Sequence, residues 1–585
     1  MDRKNLLVSS IFLLLFLSSA YAIPCAHHEK RIYLAAVTGE NSGGVFQLVV
    51  ETRPGNGSVY TAVSPRIGFA TQESEEAAVD YAFWSTAMDR KECDVLFRIV
   101  GQFGESSVDG PSAGGAMAVA TRAALLNRSI RQDVVMTGTI SQDGKIGEVG
   151  GVIEKSLGAS EEGAKYFLVP TLMVHEAFLI STMSKAKDFH AIEVQTVQDA
   201  EKVLFSDYSQ KFTPSFKPES KPVPPGLAPI PLDADLGRFS LVAKKVVDEL
   251  QSKAKEAFAD ANGSDAEAMQ GYFGKEISKY YRLIPAGYVF TAANAAFLLS
   301  IDAEYVKIGD TPVDLDGSIS DVSSCVKSLS APKKTAENFH WSIGSDLRRT
   351  WADKKLNETV GARFSQGGYT TLRDLLYAYS WCGISRELAA QAGDIGGEAA
   401  DESVLSALAD AKIREAADLM NSSKKIDYDA LWHLENGMEA NGTGQFGAAI
   451  YEATYAETMQ KVATENVENL SGAAEKLSGA SRQTLWGKIY QGQGLYLYAE
   501  AKEGKFSPSD AYRILRYAQE IDRAALDIDR ELLKKPSEIP KGQQPAQAQE
   551  AEKPDGFAIS AALAACVALT GVLVAYRAAM NARRR

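Results

Sequence analysis

The apolar positions fall into two textures. Over the first two hundred residues they form short runs separated by turn signals. Ile32–Val37 and Val45–Glu51 read as strands joined through Gly39-Glu-Asn-Ser-Gly-Gly, and Pro54-Gly-Asn-Gly marks a turn. Glu73–Met88 is helical by composition, and Asp94–Val100 returns to strand. Asp109-Gly-Pro cannot continue regular structure, so the small-residue run from Ala113 to Leu126 starts a new helix. A hairpin-like Ser141-Gln-Asp-Gly-Lys-Ile precedes Gly150-Gly151, from which a helix runs through Lys155 to Gly163. Tyr166–Pro170 reads as a strand and Met173–Met183 as a helix, and Ile192–Val197 and Ala200–Phe205 close the region.

Seven prolines between Pro214 and Pro231 make a stiff linker. Beyond it the period becomes helical, clearest in the amphipathic Leu241–Leu250 and in Asp265–Leu283. Further helices are expected over Thr371–Trp381, Ala399–Asn421, Ala448–Asn466, Arg482–Lys502 and Pro508–Leu533. Their aromatics, Tyr377, Tyr379 and Trp381 among them, are either helix-packing core or the lining of a peptide groove.

Both ends of the chain are apolar. Arg3 and Lys4, the run Leu6–Leu17 and Ala20-Tyr21-Ala22 read as a secretory signal cleaved after Ala22. Gly556–Tyr576 is 21 residues without a charge, long enough to span a bilayer, and Arg577 and Arg583–Arg585 put the C-terminus in the cytoplasm. The expected domains are therefore a signal peptide at 1–22, an α+β domain at 30–205 and a Pro-rich linker at 206–232. After these come a helical domain at 233–535, a disordered tether at 536–555, a transmembrane helix at 556–576 and a basic tail at 577–585. The expected location is the cell membrane, single-pass, with the N-terminal ectodomain outside. Asn56, Asn127, Asn262, Asn357, Asn421, Asn441 and Asn469 each begin N-x-S/T, half of the chain's asparagines, which agrees with export and glycosylation. A net charge of −13 argues against nucleic acid as a partner. Four exported cysteines, Cys25, Cys93, Cys325 and Cys382, permit three pairings, of which Cys25–Cys93 and Cys325–Cys382 is the simplest. Scattered histidines and the lack of C-x-x-C or H-E-x-x-H speak against a metal site, and no cofactor is expected.

The candidate chemistry lies in the two Gly-rich helix starts. Ser112 sits where a helix begins, so free backbone N–H groups there favour negative charge developing on a substrate oxygen. Lys155 lies 43 residues on, in the first turns of the next helix. A serine and a desolvated lysine can act as nucleophile and base. By spacing alone, an N-capping serine and a surface lysine explain the same residues.

Three ordered stretches add to this reading. Asp109-Gly-Pro-Ser-Ala-Gly-Gly, Val135-Met-Thr-Gly-Thr-Ile and Val149-Gly-Gly-Val-Ile-Glu-Lys resemble the proteolytic domain of Lon proteases, over roughly residues 30–205. The resemblance implies the α+β Lon-type proteolytic fold, with Ser112 as nucleophile, Lys155 as general base and Thr137 supporting the lysine by a hydrogen bond. Gly110 and Pro111 shape the serine loop, and Asp109 either braces it or is simply a turn residue. Lys145, in its Asp-Gly hairpin, matches no family position. Family assemblies are hexameric, so a homo-oligomer is one expectation. Lon proteases usually carry an ATPase that unfolds substrates, yet no G-x-x-x-x-G-K-[ST] occurs in the 585 residues. The sequence thus points to an ATP-independent, membrane-anchored serine endopeptidase acting on unfolded or flexible polypeptides. The alternative is a catalytically idle surface protein whose helical domain captures a partner.

Overall fold

The computed structural model describes residues 25–39, 42–62, 66–101, 110–184, 188–214, 217–259, 263–308 and 313–533. Asp109, the signal segment, the tether, the apolar run 556–576 and the basic tail lie outside the described residues. The chain divides into two compact units that meet in sequence near residue 215.

The first unit is built on a mixed seven-stranded sheet. Its strands are β1 (His28–Gly39), β2 (Ser42–Pro54), β3 (Val59–Thr61), β4 (Cys93–Val100), β5 (Val134–Met136), β8 (Tyr166–Val169) and β9 (His190–Glu193). They lie in the order β3-β4-β2-β1-β5-β8-β9, while β6 (Thr139–Ile140) and β7 (Ile146–Gly147) form a separate small hairpin. β1 runs antiparallel to β2, with Ile32 opposite Leu48, and β2 antiparallel to β4, with Val50 opposite Phe97. β1, β5, β8 and β9 are parallel, with Leu34 beside Met136 and Val135 beside Phe167. Parallel strands are covered on both faces, and every residue of β5 and β8 is buried.

Five helices supply the cover: α1 (Phe69–Thr86), α2 (Gly114–Leu125), α3 (Val152–Glu161), α4 (Val174–Ser184) and α5 (Val197–Leu204). On one face Ala78 and Tyr81 of α1, Met117 and Ala120 of α2 and Ala200 of α5 pack with Ile32, Leu48, Phe97 and Met136. On the other, Val152 and Ala159 of α3 and Ile180 of α4 pack with Ala35, Val135 and Phe167. Cys25, just before β1, is bonded to Cys93 at the start of β4. The closing stretch expected from Ile192 splits between strand and helix: β9 ends at Glu193, and Thr196 caps α5 by accepting from the Asp199 N–H.

The second unit is helical among the described residues. It holds α6 (Ala234–Ala257), α7 (Ser264–Leu283), α8 (Val289–Ile308), α9 (Leu315–Ser328), α10 (Phe339–Gln366) and α11 (Gly368–Ile395). Then come α12 (Ser406–Ser422), α13 (Tyr428–Gly442), α14 (Phe446–Thr464), α15 (Leu470–Ser478), α16 (Leu485–Lys502) and α17 (Pro508–Leu532). Side-chain caps at Asp233, Asp314, Asp427, Asn469, Thr484 and Ser507 set six of these starts, the last ahead of Pro508 at the first helical position. Phe239, Trp341, Leu388, Met459, Trp486 and Ile521 share one core. Trp381 packs beside the Cys325–Cys382 disulfide, and Tyr377 meets both Phe297 and Trp381, so these aromatics are packing residues; Tyr379 is exposed. Among the described residues one helix, Val289–Ile308, is long and apolar enough to cross a membrane, and most of it is buried in this unit.

Candidate functional site

Ser112 occupies a single tight turn, Pro111–Ala113, that leads straight into α2. Gly110 enters the turn at φ 137°, a conformation that glycine adopts freely and other residues avoid. Helix α1 holds the carbonyl groups of this entry. Thr71 Oγ1 donates to Gly110 O at 3.1 Å, and Ser74 Oγ lies 3.5 Å from Pro111 O. The carbonyl oxygen of Ser112 accepts the Gly138 N–H at 2.8 Å and the Thr137 hydroxyl at 3.2 Å. In return, the Gly115 N–H donates to Gly138 O at 2.9 Å. Close packing reinforces these bonds: a Cβ on Gly114 would lie 2.6 Å from Ile140 Cγ2. The backbone on both sides of Ser112 is therefore fixed by α1 and by the segment after β5, while its side chain stays half-exposed.

Lys155 sits one turn into α3, its N–H donating to Gly151 O at 2.9 Å. Gly151 has φ 66°, and a Cβ there would meet Val37 Cγ2 at 2.3 Å, so the helix starts against the end of β1. Gly43 of β2 pairs with Val37 and lets the helix approach further. A Cβ on Gly43 would stand 2.2 Å from Glu154 O and 3.0 Å from Lys155 Cα, and one on Gly158 would stand 2.4 Å from the Gly43 carbonyl carbon. This glycine-to-glycine contact buries Lys155 to 5 % exposure. Burial brings its ammonium down to about 8, against the opposing pull of the Glu154 charge. Lys155 Nζ makes no hydrogen bond or ion pair among the described residues. Lys145 differs on every count: it is solvent-exposed, ion-paired with Asp143 at 2.7 Å, and held above the usual lysine value by that partner.

β1 and β5 are parallel neighbours, and both segments meet their carboxyl ends. Ser112 is bonded to Gly138 just past β5, and Gly151 abuts Val37 near the end of β1. The serine enters with the helix layer on one face of the sheet and the lysine with the layer on the other. Carboxyl ends of parallel strands, where neighbouring chains leave toward opposite faces, are the places where such sheets open clefts. No hydrogen bond joins Ser112 Oγ to Lys155 Nζ, and the Thr137 hydroxyl is directed to the Ser112 carbonyl.

Three contributors were not legible in the sequence: Thr71 and Ser74, which clamp the serine turn, and Gly43, which admits α3. Glu75, next along α1, is a buried acid that the sequence reading also did not single out. It takes a hydrogen bond from Thr61 Oγ1 and has Oε1 buried without a hydrogen-bond partner. Burial pushes its carboxyl up to about 7; the Thr61 bond opposes the shift and the Glu76 charge adds to it.

Residues 34–206 match the family model of the Lon protease (S16) C-terminal proteolytic domain. The same region is 36 % identical over 148 residues to a Lon protease of Desulfatibacillum aliphaticivorans, and 35 % identical over 146 residues to Lon protease 2 of Herpetosiphon aurantiacus. It is 38 % identical over 154 residues to Lon protease 2 of Sorangium cellulosum. Each alignment covers 24 % of this chain and 18 % of the relative. The chain thus spans about a fifth or less of the length of the curated relatives it matches.

Proposed function

Residues 34–206 form a Lon-family proteolytic domain, of the serine-peptidase type, and from that premise we propose that Ser112 and Lys155 are its working pair. The observation that carries this is Lys155: a buried lysine whose desolvation outweighs the Glu154 charge, in the first turns of a helix that meets the same strand ends as the serine turn. Neutral Lys155 takes the proton from Ser112 Oγ as that oxygen attacks the peptide carbonyl carbon. The backbone N–H of Ser112 and the positive end of α2 hold the oxyanion, the Gly114 and Gly115 N–H groups being already engaged by Pro111 O and Gly138 O. The protonated lysine then gives its proton to the leaving amine as the C–N bond breaks, and water hydrolyses the acyl-enzyme with Lys155 again as base.

We read the protein further as an ATP-independent endopeptidase that takes unfolded or flexible polypeptides. No nucleotide-binding loop of the Walker type occurs in the sequence, so nothing in the chain would power unfolding. The apolar termini and the sequons support an exported chain anchored at the cell membrane by residues 556–576. The test is hydrolysis of casein by the purified chain without ATP, wild type against Ser112→Ala. Loss of activity in the variant, with no change on adding ATP, is the expected result. Silence in both would favour a binding protein that retains the fold.

A further inference from the structure

The helical unit carries a groove of about 520 Å³ between the linker residues Ser220–Pro222 and one stripe of α7, Gly271, Gly274, Lys275, Ser278 and Arg282. Its floor is held from beneath. Buried Glu276 accepts Ser220 Oγ at 2.5 Å and the Tyr280 hydroxyl at 2.7 Å, and pairs with Lys279 Nζ at 2.6 Å. Lys279 also donates to Lys221 O at 3.2 Å, which ties the linker backbone to the helix. These contacts take up the charges of Glu276 and Lys279. The rim is different. Lys221, Lys275 and Arg282 are exposed, and none has a carboxylate within ion-pair distance among the described residues. Glu219 is the one acid beside them in the linker, and Lys221 Nζ lies 5.9 Å from the Phe506 ring. In a chain of net charge −13, three adjacent unpaired cations are a local reversal of sign.

We propose that this groove binds an acidic stretch of polypeptide. Lys275 and Arg282 are two helical turns apart, about 10 Å along the axis, and Lys221 comes from the linker, so the three cations are rooted along the groove rather than at one point. The floor between them is apolar: two glycines, Pro222 and the aliphatic stems of the lysines. A Cβ on Gly271 or Gly274 would meet nothing within 4 Å, so no packing contact in the fold requires glycine at either place. An extended peptide can lay its backbone over this floor and direct carboxylates to the rim. A sulfated sugar chain would bring many hydroxyl groups that need acceptors as well as donors, and the one neutral polar side chain left in the lining is Ser278, since Ser220 already donates to Glu276. That the bound peptide is a substrate rests on the proposed peptidase activity; the binding itself does not.

The full chain carrying Ser112→Ala, which cannot consume the probe, is titrated against a short labelled peptide of interspersed glutamate and glycine, with fluorescence anisotropy as readout. The glutamate peptide is expected to bind at least about tenfold tighter than its glutamine twin, and more weakly as salt is raised. Lys275→Glu combined with Arg282→Glu should weaken it by at least about tenfold. Gly274→Leu should weaken it too, by filling the floor without altering charge. The proposal is overturned if the glutamine twin binds equally, if the double variant binds like its parent, or if a sulfated oligosaccharide binds where the acidic peptide does not. Failure of casein hydrolysis in the wild type would remove the peptidase reading and leave this binding result standing.

Discussion

The burial that would suit Lys155 to the proposed role of base is unfavourable to the fold. The ordinary lysine value of 10.5 falls to about 8 in the folded chain, so between those values the unfolded chain binds the extra proton. Below about pH 8 both states are protonated, and the folded state bears the full penalty of a buried ammonium, roughly 3 kcal/mol at 1.4 kcal/mol per tenfold change in the proton equilibrium. Stability contributed at this site therefore rises as pH climbs from about 8 toward 10.5. Lys155→Met, close in volume and uncharged, should abolish peptidase activity yet stabilise the chain at pH 7 by on the order of 2 kcal/mol in urea denaturation. That advantage should shrink by pH 10. A variant no more stable than wild type at pH 7 would mean that the ammonium is not starved of solvent. If Lys155 is the base as proposed, activity of the wild type should rise with pH along a single limb centred near 8, since a lysine accepts a proton only when neutral. Glu75, brought to about 7, is the other group able to shape that limb. Glu75→Gln should leave the midpoint near 8, and a midpoint that moves with this substitution would assign the limb to the carboxyl instead.

Helix α3 can present the lysine only because β2 lets it come close. Gly43→Ala would put a methyl group 2.2 Å from the Glu154 carbonyl oxygen, and backbone cannot swing aside as a flexible side chain can. α3 must shift outward. The expected result is a loss of more than about tenfold in kcat/KM and a destabilisation of about 1–3 kcal/mol, because overpacking displaces a whole element. Gly361→Ala, inside α10 with nothing near the added carbon, serves as the control: it should leave kcat/KM unchanged and should not destabilise the chain. The contrast also shows which elements sequence could reveal. The serine turn and the lysine helix were legible because Gly, Pro and Asp punctuate them locally. Helices α6, α7, α14, α16 and α17 announced themselves by period, capping residues or Pro508. β3 and β5 did not, being three residues each, too short for any period to show. α8 was missed because its apolar residues ring the helix, leaving no polar face to set a phase. Gly43, Thr71 and Ser74 could not be found at all from the chain. Each acts on a segment 37 or more residues away, and nothing in its own neighbourhood signals the partner.

Across the whole molecule, the reading of an exported protein makes a prediction that the surface itself sharpens. Glycan is added to the extended chain before folding is complete, so only a sequon that ends exposed is compatible with a native, modified product. Asn56, Asn127, Asn357, Asn421 and Asn469 are exposed. Asn469 uses its Oδ1 to cap α15 through the Gly472 N–H at 2.8 Å, which leaves Nδ2 for a sugar. Asn127 lies just beyond the serine helix at φ 50° with Oδ1 taken by Lys30. Asn441 stands apart. It is half-buried, its Nδ2 donates to Asp410 at 2.8 Å, and its Oδ1 is buried without a hydrogen-bond partner. A sugar on that nitrogen would break the bond and push α13 from α12. Enzymatic release of N-glycans in heavy-oxygen water, then mass spectrometry of the protein from its own cells, should therefore label Asn357, Asn421 and Asn469 and leave Asn441 unmarked. Label on Asn441 in soluble, active protein would contradict its packing, whereas no label on any of the exposed five would remove the sequons as support for export and turn attention to the fate of residues 1–22.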